Sequence, residues 1–375
     1  MNEIKTPHKK RMTEQDIAKG LAILLVVFVH SVELKTTAMN WLVATTGYAM
    51  PFFFFMSGYN YKPGRGTWGQ NVTKRAKQLL LPLLYYSVGI YVVMTVYFLF
   101  RQETTVSFAL RSFGSFWLTR PLSEWVGIAT DMTADPFFAL LVQGWFLQFM
   151  MSAYLVFYLV ADFALKNASR FISVCIGLLS VTCAFVSFEV TLPWGLHAAP
   201  LVAAMMLAGA MFGKQKLLHR ETVSAKWNLL NVLAAFGIYL ILGLLYPRAG
   251  QFAAGMLGHG IGFWDVFITF LAAILGSYIL VNISKLVEKV PGFSTVFKWC
   301  GVNSLTILLV HMCFIRLFND VFHVVKQPMG SAIEHTNWMT VLVYGLAMLA
   351  TAAFVLVISN LKKQIKRKEK HHETA

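Results

Sequence analysis

His30 sits near the middle of the first apolar stretch of the chain, Gly20 to Val32, and Lys19 stands eleven positions before it. Eleven residues make almost three helical turns, so the two side chains share one face, roughly 16 Å apart along the axis. An imidazole at bilayer depth above a cation at the rim is equipped to handle protons, because the ring titrates near neutrality and suits general-base work. Ionisable groups at such depth are costly, and by default they mark function. Glu33, three residues beyond His30, is placed either to orient the ring or to pair with Arg316. His311 lies at a similar expected depth in a later apolar stretch, with Arg316 five residues beyond it. His197, beside Pro193 and Trp194, reads instead as a structural histidine at a helix entrance.

A second group of residues suits anion binding. Gly64-Arg65-Gly66 is followed by Lys74-Arg75-Ala76-Lys77, directly before an apolar span that begins at Leu79. Together with Lys19, such cations could hold a phosphorylated ligand through charge-assisted hydrogen bonds. Ordinary anchoring at the membrane rim is the competing explanation. Asp16, three residues before Lys19, is spaced to position its ammonium group.

The elements that must carry these residues are helices in a membrane. Charged residues make up only 13% of the 375, and hydrophobic residues 57%, which excludes an ordinary soluble domain. About ten apolar runs are long enough to span a bilayer, near 17–33, 41–59, 79–100, 137–163, 171–188, 196–213, 229–246, 262–283, 302–319 and 338–359. With both termini cytoplasmic, 24 of the 32 Lys and Arg fall on the inner side, as positive-inside topology requires. The expected fold is an all-α integral membrane bundle of about ten helices. A basic cytoplasmic N-terminus covers 1–18, a single transmembrane domain 19–359, and a basic cytoplasmic tail 360–375.

The net charge of +15 is explained by that topology and by attraction to anionic membrane lipid, so no nucleic-acid role is expected. The first apolar run resembles a secretory signal after Lys9, Lys10 and Arg11, but no small-residue cleavage site follows Val32, and an uncleaved first span is expected. Cys175, Cys183, Cys300 and Cys313 lack CxxC spacing and suggest neither a disulfide framework nor a metal site. The outer segment 101–136 is rich in Phe and Trp and is expected to lie as a helix at the interface.

The order of several blocks resembles the membrane acyltransferase-3 family, close to its fucose 4-O-acetylase-like branch. The blocks are Arg11, Asp16, Lys19-Gly20 and His30; Met50 to Tyr59, which includes Ser57; Arg75 to Pro82; Trp145-Phe146-Leu147; and Gly301-Val302-Asn303-Ser304-Leu305 through His311. The resemblance implies a multi-pass enzyme of a bacterial plasma membrane. Such an enzyme moves an acyl group, usually acetyl from cytosolic acetyl-CoA, to a hydroxyl of a surface or exported carbohydrate. The family's basic residue and essential histidine fall on Lys19 and His30. Its paired-arginine motif falls on Arg75, but Gln78 stands three residues on, and Lys74 and Lys77 offer another basic pair at that spacing.

On this reading His30 and Glu33 are the catalytic candidates, and Lys19, Lys74, Arg75 and Lys77 hold the coenzyme A phosphates. Asp16, Ser57, Asn303, His311 and Arg316 support them. His30 acts either as general base or as transient acyl carrier. No permanently bound cofactor is expected; acyl-CoA and a carbohydrate are the partners, with polysaccharide-assembly proteins as further candidates. The rival reading is a proton-coupled transporter or glycan flippase, for which buried His, Glu, Arg and Asp265 would also serve.

Overall fold

The computed structural model describes residues 13–31, 47, 49–126, 144–215, 225–245, 263–326 and 337–373, and all regular structure among them is helical. In chain order the helices are α1 (Thr13–Ser31), α2 (Ala49–Tyr59), α3 (Trp68–Phe100), α4 (Val106–Trp125), α5 (Trp145–Ala164) and α6 (Ala168–Ser187). A short 3-10 turn, Pro193–Gly195, leads to α7 (Ala199–Lys214), α8 (Ala225–Leu245), α9 (Phe263–Glu288), α10 (Phe293–Val302), α11 (Ser304–Lys326) and α12 (Asn337–Glu373).

Seven helices among the described residues are long and apolar enough to cross a membrane: α3, α5, α6, α7 with the turn before it, α9, α11 and α12. Three of the runs expected from sequence do not meet that measure. In α1 the residues Glu14, Asp16 and Lys19 interrupt the apolar face, α2 has 11 described residues, and the apolar part of α8 is the shorter Leu229–Gly243. α4 is likewise not among the seven, and it occupies much of the 101–136 segment expected at the interface.

The core forms around α7, whose residues Ala199 to Ala210 are all buried. Its small side chains let α2, α5, α6 and α9 close around it. Gly209 of α7 lies so close to α2 that a Cβ would run into the Phe55 carbonyl, and Gly58 meets the Met206 carbonyl in the same way. On its other side α9 also packs against α1, which in turn lies against α10 and α11. Phe52, Phe54 and Phe55 of α2 are fully buried, with Phe54 against Phe146 and Phe149 of α5.

α3 differs from the sequence expectation. The sequence places the 74–77 cluster directly before a span at Leu79, but the helix begins at Trp68 and carries the whole cluster. The reason is local: Thr67 is an N-cap whose side chain accepts from the Gln70 amide, while Gln70 accepts from the Thr67 amide. The lysines and the arginine are thus held on a rigid helical surface.

Candidate functional site

Lys19 and His30 share α1, and the amino-terminal part of that helix is held by its contact with α10. Gly301 packs on the Asp16 carbonyl and the Gly20 amide, and Gly20 packs on the Phe297 carbonyl; any side chain at either glycine would collide with backbone. Ten residues further along each chain segment, His30 faces His311, so α1 and the α10–α11 pair run side by side in the same direction. The spacing from Gly20 to His30 and from Gly301 to His311 is about 15 Å of helix rise in both cases. Asn303 makes the junction between α10 and α11: its amide side chain donates to Trp299 O at 2.9 Å, and its own carbonyl accepts from Ile307 N. The helix is broken there, yet the register against α1 is kept.

The two imidazoles meet with His30 Nδ1 3.4 Å from His311 Nε2 and ring centroids 5.4 Å apart. His311 is fully buried, and its Nδ1 lies 3.0 Å from Ile307 O one turn back. His30 is only partly buried. At the other end of α1, Lys19 Nζ lies 3.7 Å from Asp16 Oδ1, with the lysine side chain 28% exposed and the carboxylate almost fully buried. The helix therefore carries a partly open cation at one end and a partly open imidazole at the other.

The second group is centred on Arg75, where the structure separates the three basic residues of the 74–77 cluster. Lys74 and Lys77 are exposed on α3, whereas Arg75 turns inward onto α5. Its Nε donates to the Tyr158 hydroxyl at 3.0 Å, its guanidinium lies 4.9 Å from the centre of the Tyr154 ring, and one Nη donates to Gln78 Oε1 at 3.0 Å. Gln78, the residue that departs from a paired arginine, is thus an acceptor for Arg75. Tyr154 and Tyr158 stack on each other at 5.4 Å. Ser57 of α2 donates its hydroxyl to Phe53 O at 2.8 Å, within its own helix. Arg75, Tyr154 and Tyr158 thus join α3 to α5.

The loop between α2 and α3 is pinned to the same end of α5. Tyr61 donates to Asp162 Oδ1 at 2.7 Å, the Gly64 amide donates to that oxygen at 3.2 Å, and Trp68 Nε1 donates to Leu155 O at 3.1 Å. Burial, with the Asp162 carboxylate beside it, pushes the Tyr61 phenol above its ordinary range. Sequence reading missed Tyr154, Tyr158, Tyr61 and Asp162, and read Gln78 only as a departure from the paired-arginine motif. The available signal was the i, i+4 spacing of Tyr154, Tyr158 and Asp162, which places all three on one face of α5.

Arg316 has a partner that sequence reading did not name: Asp320, one turn on, with Arg316 Nε 3.1 Å from Oδ1 and 3.2 Å from Oδ2. Tyr97 of α3 donates to the same carboxylate at 3.4 Å. Glu33, expected as a second catalytic group or as a partner of Arg316, lies outside the described residues. His197 accepts at Nδ1 from the Leu192 amide at 3.1 Å in the turn before α7. The four cysteines are free thiols.

Among the described residues, an all-helical bundle with seven candidate spans, an imidazole pair between two parallel helices and an arginine locked among tyrosines define a multi-pass membrane protein with a few polar groups set in an apolar interior. A family model for the acyltransferase domain of type 3 matches residues 13–360, nearly the whole chain, including His30, Arg75 and His311. The chain belongs to the acyltransferase-3 family, and membrane acyltransferase activity is the function that membership supports. No significant match was found among curated proteins or solved structures.

Proposed function

We propose that the protein is an O-acyltransferase of the bacterial plasma membrane, which takes an acetyl group from cytosolic acetyl-CoA and esterifies a hydroxyl of a surface or exported carbohydrate. Family membership supports acyl transfer; the observation that favours this form of it is the partly open His30, backed by the buried His311, on the same face of α1 as Lys19. The bundle takes about ten spans with both termini cytoplasmic, so that Lys19 and the 74–77 cluster face the cytosol. There, Lys19, Lys74 and Lys77 contact the coenzyme A phosphates, and Arg75 contributes the edge of its guanidinium that Tyr158 and Gln78 leave available.

His30 takes the proton of the acceptor hydroxyl. The oxygen attacks the thioester carbonyl, the C–S bond breaks, and the leaving thiolate recovers the proton from His30. A route through an acyl-imidazole on His30 uses the same residue as nucleophile. The bundle excludes water from the reacting carbonyl, so the acyl group is not lost to hydrolysis.

The test is transfer of label from radiolabelled acetyl-CoA into cell-envelope glycan, with membranes carrying the native chain or His30→Ala. Label that requires the native chain and disappears with the histidine is the expected result. Unchanged labelling by His30→Ala removes His30 from the chemistry. No label from the native chain, with insertion verified, removes this donor and acceptor pair.

A further inference from the structure

We infer that His311 is a positioning residue that sets the tautomer of His30, so that His30 presents Nε2, with its lone pair, to the acceptor hydroxyl. The inference rests on the acyl-transfer reading for its consequence, but its geometry stands apart from it. A backbone carbonyl can only accept a hydrogen bond, so His311 Nδ1, 3.0 Å from Ile307 O, carries a proton. A neutral imidazole has a single N–H, which leaves His311 Nε2 as an acceptor. That nitrogen faces His30 Nδ1 at 3.4 Å. Two lone pairs would repel at this distance, so His30 Nδ1 carries the proton and points it at His311. By elimination, Nε2 of His30 is the basic nitrogen.

The chain of hydrogen bonds ends on a helix carbonyl, so it is rigid: Ile307 O orients His311, and His311 orients His30. His311 is fully buried and makes no direct contact with a substrate on this reading. When His30 accepts the hydroxyl proton at Nε2, its Nδ1–H bond to His311 is already formed, and the ring need not turn. A neutral imidazole supplies orientation without the charge that a carboxylate would bring. Its removal should therefore be milder than loss of His30.

The experiment combines kinetics with 15N NMR of histidine-labelled, full-length protein in lipid nanodiscs, the His30 resonances being identified by their loss in His30→Gln. His311→Phe keeps the ring volume and removes both nitrogens; His311→Gln keeps an acceptor. In the native protein His30 should show the Nδ1–H tautomer, and in His311→Phe it should shift toward Nε2–H. Acetyl-CoA-dependent transfer should lose about 10- to 100-fold in kcat in His311→Phe, with the KM for acetyl-CoA unchanged, and should recover in large part in His311→Gln. An Nε2–H tautomer in native His30, or a tautomer indifferent to His311→Phe, overturns the inference. So does an equal loss in the Phe and Gln variants, or a loss confined to KM. The NMR comparison is decisive even if the native chain transfers no acetyl group, so failure of the functional reading and failure of this inference are told apart.

Discussion

The imidazole pair and the arginine cluster are both assembled from distant parts of the chain, but they are built on opposite physical terms. His30 and His311 face each other across two parallel helices brought together by glycine contacts at Gly20 and Gly301. The contact is between groups that can both be uncharged, which an apolar interior tolerates. Arg75 keeps its charge and is satisfied by a tyrosine hydroxyl, a tyrosine face and the Gln78 amide, all near the end of the bundle where chain and solvent meet. The first arrangement suits proton movement, the second holding a fixed charge. An enzyme that brings a polyanionic donor to a reaction inside a bundle needs both, separated along the helix axes.

The comparison is broken most severely by removing its reactive member. His30→Ala should reduce acetyl transfer by about 100- to 10,000-fold while leaving insertion and thermal stability close to native, as checked by a transfer assay and a melting scan in detergent. A parallel collapse in stability would make His30 a packing residue. Gly301→Val attacks the frame instead: the added carbons meet the Asp16 carbonyl, and a destabilisation of about 1–3 kcal/mol or more is expected, with activity falling alongside folded yield. A native-like melting curve would show that the contact between α1 and α10 is not tight.

On the arginine side the effects should be smaller and should fall on donor affinity. Arg75→Ala removes charge-assisted hydrogen bonds, each worth about 1.5–3 kcal/mol, and should raise the KM for acetyl-CoA while changing kcat little. An effect confined to kcat would place Arg75 in the chemistry. Replacing Lys74 and Lys77 together by Gln should weaken donor binding only modestly and mainly at low ionic strength, since exposed charges are screened by salt. Salt-independent weakening would argue that the lysines are enclosed around the ligand. The smallest effect belongs to Arg316 and Asp320, whose double-mutant cycle should return about 0.2–1 kcal/mol of coupling; strictly additive losses would deny the pair.

Much of the helical character was legible because apolar runs of membrane length leave few alternatives. Seven of the expected runs correspond to helices of that length and apolarity. The start of α3 was not legible, because a basic stretch after Gly64-Arg65-Gly66 looks like a loop unless the Thr67–Gln70 capping box is given weight. Asp320 as partner of Arg316 was legible at i+4, whereas Glu33, the partner expected from sequence, lies outside the described residues. The choice among Lys74, Arg75 and Lys77 could not have been made, since it depends on where Tyr154 and Tyr158 lie.

The chain by itself determined that its polar residues would be few and concentrated, because every unpaired charge in an apolar bundle costs several kcal/mol. It also determined that Lys19 and His30 would share a face, since helical periodicity sets that relation within one element. Only the tertiary structure decided that His30 meets His311, 281 positions away, and that Arg75 rather than its neighbours is locked among aromatics. Those pairings depend on how closely helices approach and in which register, which is set by glycine contacts between backbones and by no periodicity within either segment.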